Sequence, residues 1–516
     1  METDVLIIGG GVTGTGIARD LALRGVNTTL IEKKDLNAGA SGGNHGLLHS
    51  GARYIHSDPE TARECQIEQK ILKRLASHCI EETGGLFTAV KGDDENYIQD
   101  FKLRCEKLNI PCEKIDPRQA LEMEPALSRD IIAAYQVNDA SINPFKLSIE
   151  NINNAVLLGS SYLTHTKINR LKIKNSKIIH AEAYNEMSGE TIKIRAKHYI
   201  NATGAWAKNI AAMAGIKMDM LFSLGSLLVT NRRITRRVVN RLRMPSDGDI
   251  LVPGGVVSIL GTTSVRLKDL DNIYPSVDEV DKIIEQGEQM VPALKTCRYI
   301  RAYSGVRPLV STGDSGRDRE VSRGFILLDH EKSGVDNFIT ITGGKLSTYR
   351  LMAEKAADIV CKKLGVAQPC KTKTAPLPST FDGECSEPGV FIKEPADSKT
   401  FHYSYLCECE MVPEKAINSV FDSIKKKGGT PNLESIALRT RVGKGTCQGT
   451  YCSSRLFAHL CDNKDFKAGN SLEDLRLFLN ERWKGEHSLL WDQTLVQSSL
   501  KEMIYCGLFC LELYEQ

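Results

Sequence analysis

The segment Val5-Leu-Ile-Ile-Gly-Gly-Gly-Val-Thr-Gly-Thr-Gly16, with Glu32 downstream, leaves this chain few folds to choose from. Residues 4–8 are an apolar, β-branched run ending in glycines, the pattern of a short buried parallel strand. Residues 14–25 carry small and apolar residues at helical spacing and stop at Gly25, a suitable helix terminator. Residues 27–32 make a second strand ending on Glu32. Together they form a βαβ unit, which predicts an α/β domain at the start of the chain. Gly9, Gly11 and Gly14 let the backbone turn sharply and approach a pyrophosphate, which the free N–H groups and dipole of the helix N-terminus then favour. Glu32 is spaced to accept hydrogen bonds from ribose hydroxyls.

At 516 residues the chain needs about two to four domains. With 67 basic against 64 acidic residues, nucleic-acid binding is excluded as a main role. No run of 18 apolar residues occurs, so no transmembrane segment is expected. The N-terminus enters a strand at once, without room for a signal peptide. The expected location is cytoplasmic, with membrane attachment only through a partner. Of the fifteen cysteines, most are expected to be reduced and buried as small hydrophobes.

Further along, 60–80 reads as an amphipathic helix, and strand-like stretches fall at 131–137, 162–168, 171–183 and 190–200. Residues 221–230 and 249–263 read as strands of a large sheet. Ala202-Thr203-Gly204 and Gly343-Gly344 each form a glycine turn between strand and helix. These two further turns favour one large ligand, FAD rather than NAD. A helix follows Gly344 and ends near Gly365. Residues 1–368 are thus the expected first domain. Residues 369–400 hold five prolines and read as a linker or extended crossing segment. Residues 401–458 contain a cysteine module, and 459–516 read as mostly helical. The stretch at 231–243 packs six arginines and is expected to be a solvated helix face; the alternative is a contact with an acidic partner or an anionic membrane.

The module reads Cys407-Glu-Cys409 and Cys447-Gln-Gly-Thr-Tyr-Cys452. Four thiolates gathered by folding suit zinc or an iron–sulfur cluster, and spacing alone does not separate them. The C-x-C pair is tighter than the knuckle usual in structural zinc sites. Residues 439–447 add positive charge and glycine N–H donors, which would lower a cluster's electrostatic cost.

Three further motifs carry a family resemblance: Asn44-His-Gly-Leu-Leu-His-Ser-Gly-Ala-Arg-Tyr54, Tyr303-Ser-Gly-Val-Arg-Pro-Leu309 and Gly343-Gly-Lys-Leu-Ser-Thr-Tyr-Arg350. They resemble the flavin-dependent glycerol-3-phosphate dehydrogenases. The cysteine module and Asn480-Glu-Arg-Trp-Lys484 are similar to the catalytic subunits of the anaerobic, three-subunit members. The resemblance implies a Rossmann-like FAD domain joined to a D-amino-acid-oxidase-like substrate sheet, and a small helical domain of the bacterioferritin-associated-ferredoxin type. It implies FAD contacts from Gly9, Gly11, Gly14, Glu32, Lys33, Ser41, Ile168, Thr203, Gly204, Gly343, Gly344 and Leu346. It implies a [2Fe-2S] cluster on Cys407, Cys409, Cys447 and Cys452, and oxidation of sn-glycerol 3-phosphate to dihydroxyacetone phosphate. Two partners are implied: a second, flavoprotein-like subunit, and a membrane-associated iron–sulfur subunit passing electrons to quinone. FMN at a partner interface stays open.

A phosphate dianion needs cations, and arginine forks match its oxygens. The candidates are Arg53, Arg307, Arg323 and Lys345, with Tyr54 as a hydroxyl donor. His49 is the candidate base for the substrate hydroxyl, with His45 close by. Rival functions are a 2-hydroxyglutarate-like or amino-acid dehydrogenase of the same fold, and a non-catalytic redox or iron–sulfur sensor.

Overall fold

The computed structural model describes residues 1–271, 273–309, 324–379, 404–427, 429–462 and 471–511. The N-terminal strand Glu2–Ile8 pairs in parallel with Thr28–Ile31 on one side and with Glu190–Asn201 on the other. Ser161–Leu163 and Phe338–Gly343 extend this parallel core in the two directions. Four consecutive residues of the first strand, Val5 to Ile8, are buried. That burial on both faces is why the strand reads as a continuous apolar run. The helix Val12–Leu23 packs between Pro144–Leu157 and Tyr349–Leu364 on one face of the sheet.

Three strands of this sheet end together. Gly9 follows the first, Ala202-Thr203-Gly204 the second and Gly343-Gly344 the third. The carboxyl ends of parallel strands are where open α/β sheets bind ligands. The glycine turns read from the sequence therefore do revisit one place.

A second, nine-stranded sheet stands over that edge. Its strand Leu221–Thr230, near one end of the sheet, pairs antiparallel along nearly its whole length with Tyr299–Leu309. The expected strand at 249–263 is a hairpin, Ile250–Gly254 and Val257–Gly261. The stretch at 231–243 departs from the expected helix. Val238–Arg241 is a buried strand of this sheet, parallel to Gly85–Val90. Arg241 forms a two-pronged ion pair with Asp93 (2.6 and 2.9 Å), and Arg243 pairs with Asp249. No helix forms because Asp93, remote in sequence, and Asp249 hold Arg241 and Arg243 inward.

Residues 369–379 lie along the first domain: Arg19 donates to the carbonyls of Ala375 and Pro376, and the Leu377 N–H donates to Leu75. The remainder of the expected linker, and residues 401–403 of the module, lie outside the described residues. The C-terminal part is helical, with helices at Glu414–Lys426, Leu433–Thr440, Cys452–Cys461, Ser471–Lys484 and Asp492–Glu502. Leu475, Phe478, Leu479 and Tyr505 share one apolar core with Cys407, Cys452 and Leu456, so helices on both sides of residue 458 form a single packing unit. Among the described residues no helix is long and apolar enough to cross a membrane.

Candidate functional site

A cavity of about 2090 Å³ lies between the two sheets and the C-terminal helices. It is about twice the upper end of the usual range for a small-molecule site. Gly9, Gly11, Glu32, Lys33, Ser41, Ile168, Thr203, Gly204, Gly343, Gly344 and Leu346 all line it. Gly14 sits behind them; a Cβ there would stand 1.9 Å from the Gly9 carbonyl oxygen, so the turn closes only with glycine. Ser41 Oγ accepts from the Val12 N–H (3.0 Å) at the start of the helix. The Glu32 carboxylate accepts from the Gly10 N–H (2.7 Å) and the Lys34 N–H (3.0 Å). It thereby ties the second strand to the turn. Lys33 lies over the Trp206 ring at 4.1 Å. A cradle this tight, opening at a helix N-terminus into a long cavity, fits the pyrophosphate of a dinucleotide such as FAD.

One end of the cavity gathers the predicted chemistry. His49 Nε2 lies 3.2 Å from the Tyr54 hydroxyl, and Lys345 Nζ sits 4.1 Å over the Tyr54 ring. Tyr54 follows Arg53 in a single 3₁₀ turn, and Lys345 caps the next. Arg307 enters from the nine-stranded sheet, donating to the Thr263 carbonyl (3.1 Å) and the Thr262 hydroxyl. Arg53 is buried in an ion pair with Asp249 (2.7 Å), so its charge is already matched by a carboxylate. Arg323 lies outside the described residues.

Electrostatics keep both histidines neutral. Burial, then the neighbouring charges of Lys345, His45 and Arg53, hold His49 well below the usual histidine value. Burial, reinforced by Arg307 and Arg53 against the Gly261 backbone, takes His45 down to about 4. A neutral imidazole is the form able to accept a proton.

The cysteines form the second centre. Cys452 hydrogen-bonds to both Cys407 and Cys447, and Cys447 contacts Cys409. The hydrogen bond from Cys452 takes Cys447 down to about 5, helped by the Tyr451 and Gly449 backbone. Cys407 is lowered by the same partner, and Cys452 is raised. Among the described residues no group of three or more His, Cys, Asp and Glu is set to hold a single metal ion. The four cysteines lie together, with backbone N–H donors on Cys407 and Cys447, and soft sulfur ligands of this kind suit zinc or an iron–sulfur cluster.

Sequence reading missed the third wall. Arg301, Lys444, Gln448 and Arg482 line the same cavity, three of them from the C-terminal helices and loops. Arg482 falls in the Asn480–Lys484 motif and Lys444 in the basic stretch 439–447, but neither pattern places its residue on this cavity, because only the docking of two domains brings them together.

The family model described as FAD dependent oxidoreductase matches residues 4–350. The chain is 42% identical to an anaerobic glycerol-3-phosphate dehydrogenase subunit of Escherichia coli strain K12, over 99% of this chain and 97% of that one. It is 38% identical to an anaerobic glycerol-3-phosphate dehydrogenase subunit of Haloferax volcanii, over 98% and 90%. In fold it is similar to the glycerol-3-phosphate dehydrogenase of Bacillus halodurans complexed with FAD, with a TM-score of 0.60, 20% identity, and coverage of 100% of this chain and 96% of that one.

Proposed function

Because this chain belongs to the FAD dependent oxidoreductases, and among them to the anaerobic glycerol-3-phosphate dehydrogenase subunits, we propose that it oxidises sn-glycerol 3-phosphate to dihydroxyacetone phosphate. The observation that carries this reading is the meeting of His49, Tyr54, Lys345 and Arg307 at one end of a cavity whose other wall is the glycine cradle.

FAD, when bound, would supply the acceptor for the hydride leaving C2 of the substrate. The protein's own residues do the rest. Gly9, Gly11, Gly14 and the helix start bind the pyrophosphate, with Glu32 and Lys33 beside the adenosine half and Ser41, Ile168, Thr203, Gly204, Gly343, Gly344 and Leu346 lining the path. Arg307 and Lys345 bind the phosphate dianion and hold C2 in place, and Tyr54 donates to it. Arg53 supports that wall through Asp249, and Arg323 joins the set through a looser family motif. Neutral His49 Nε2 accepts the C2 hydroxyl proton as the C–H bond breaks.

Cys407, Cys409, Cys447 and Cys452 would hold a [2Fe-2S] cluster, which supplies one-electron transfer away from the flavin. The chain's partners would be a second flavoprotein-like subunit, with FMN at the shared interface, and a membrane-associated iron–sulfur subunit leading to quinone. The chain itself works at the cytoplasmic face of the membrane.

Anaerobic addition of sn-glycerol 3-phosphate should bleach the flavin absorbance, and 2-hydroxyglutarate and amino acids should leave it unchanged. Bleaching by 2-hydroxyglutarate alone would reassign the substrate, and bleaching by none would favour a sensor. Arg307→Ala should lower kcat/KM by about a hundredfold or more with FAD retained. Unchanged kcat/KM would remove Arg307 from the site. Iron analysis with EPR of the reduced protein tests the cysteines; zinc without iron refutes the cluster.

A further inference from the structure

We propose that the end of the cavity opposite Arg307 is a second anion site, at which Arg301, Arg441, Lys444 and Arg482 take a phosphate dianion, free or as a phosphomonoester. It goes beyond the proposed oxidation, which uses none of these residues.

The two ends are set apart by the strand Tyr299–Leu309. Arg301 and Arg307 project from the same face of it, six residues or about 20 Å apart. Between them the loop at 42–44 crosses the strand. A Cβ on Gly305 would lie 2.0 Å from the Gly43 carbonyl oxygen, and the Tyr303 hydroxyl donates to the Asn44 carbonyl at 2.7 Å. That crossing divides one long cavity into two polar ends.

At the far end the cations outnumber their partners. Arg441 pairs with Glu410 (3.0 Å), Lys484 with Glu481 (3.1 Å) and Lys501 with Glu486 (2.6 Å), so those carboxylates are taken. Glu434 and Asp474 also line this end, and burial, the largest cause for each, pushes both carboxyls up toward the neutral form, Asp474 to about 6. Arg301, Lys444 and Arg482 have no ion pair with a described carboxylate. Arg301 donates to the Glu481 carbonyl (3.1 Å), Lys444 lies 4.6 Å over the Phe145 ring and Arg482 stacks on Phe478. Arg482 is only 8% exposed, and its Nε has no hydrogen-bond partner among the described residues.

Arg301 and Lys444 are half-buried and Arg482 is buried; an unmatched cation withdrawn from water is costly, and a buried donor without an acceptor adds to that cost. Burial and mutual repulsion accordingly bring Arg482 down to about 9 and Lys444 well below the usual lysine value. A dianion among these groups removes both penalties at once. Arginine forks and a lysine point charge are the chemistry that phosphate oxygens match.

The test titrates inorganic phosphate into the full-length, FAD-loaded protein and follows heat and melting temperature, since a ligand that binds the native state raises the latter. Wild type and Arg307→Lys should both bind phosphate, and Arg482→Gln and Lys444→Met should each weaken it at least tenfold while flavin content stays unchanged. Should Arg482→Gln fail to fold, Lys444→Met carries the same readout. Phenyl phosphate run in parallel separates the sources: tighter binding than phosphate marks an esterified ligand, and equal binding marks the free ion. No phosphate binding, or binding lost in Arg307→Lys and kept in Arg482→Gln and Lys444→Met, overturns the second site. The second of these results would leave the substrate reading at Arg307 intact, and flavin bleaching by sn-glycerol 3-phosphate tests that reading separately.

Discussion

His49 shows how a single residue's surroundings decide its chemistry. Exposed, an imidazole is half-protonated near pH ~6.5 and a poor base below that value. Here burial, with Lys345, His45 and Arg53 nearby, favours the neutral ring. The sign follows directly: a lowered value keeps the base form populated as pH falls, so the acid limb of the rate profile moves down. The pH dependence of kcat/KM should therefore show an acid limb clearly below ~6.5 that disappears in His49→Gln, with the remaining rate lowered by about 10²–10⁴-fold. A limb at the ordinary histidine value that survives the substitution would assign the proton to another group. That His49 was a candidate at all was legible from its glycine-rich motif. Its depressed value was not, because Lys345 is remote in sequence and arrives only with the third strand end.

Elements were legible where one local pattern decided them. The first βαβ unit, the strands Ile131–Val137 and Leu221–Thr230, and the helix stopped by Gly365 follow their sequence signals closely. The arginine-rich stretch was not legible, because its outcome rests on distant carboxylates. Asp93 lies beyond the end of Gly85–Val90 and meets Arg241 only when the two strands pair. Both side chains are buried, so neither charge has water as an alternative partner. Asp93→Ala should cost about 3–5 kcal/mol of stability, the usual consequence of stripping one member from a buried pair. Chemical denaturation would register it as a lowered midpoint at unchanged slope. A loss under about 1 kcal/mol would mean that water reaches Arg241 and that the pair is effectively a surface one. The placement of Lys444 and Arg482 belongs to the same class: each stands in a stretch the sequence singles out, but its place on the cavity appears only when a second domain closes over it.

At the scale of the whole molecule the question is what fixes the cysteine module against the flavin cavity. Arg439, in the helix that precedes the cysteine loop, meets Asp35, just past the nucleotide acid, at 2.8 and 3.2 Å. Burial alone would raise the Asp35 carboxyl, but the Arg439 guanidinium outweighs it and holds it below the usual carboxylate value. A folded value below the unfolded one contributes stability in full above about 3.9, and that contribution is lost as pH falls through the folded value. Asp35→Asn removes the charge at every pH and leaves Arg439 buried without its counter-ion. The variant should lose about 3–5 kcal/mol at neutral pH, felt first as earlier melting of the C-terminal helices and faster proteolysis between the domains. Flavin bleaching by substrate should persist, because no residue of the His49 end is touched. The gap between wild type and variant should narrow once acid protonates Asp35 in the wild type as well. A variant that melts and is cleaved like wild type would show that the apolar contacts of Leu438 and the Thr494 bond to Tyr299 suffice to hold the cysteine module against the flavin cavity.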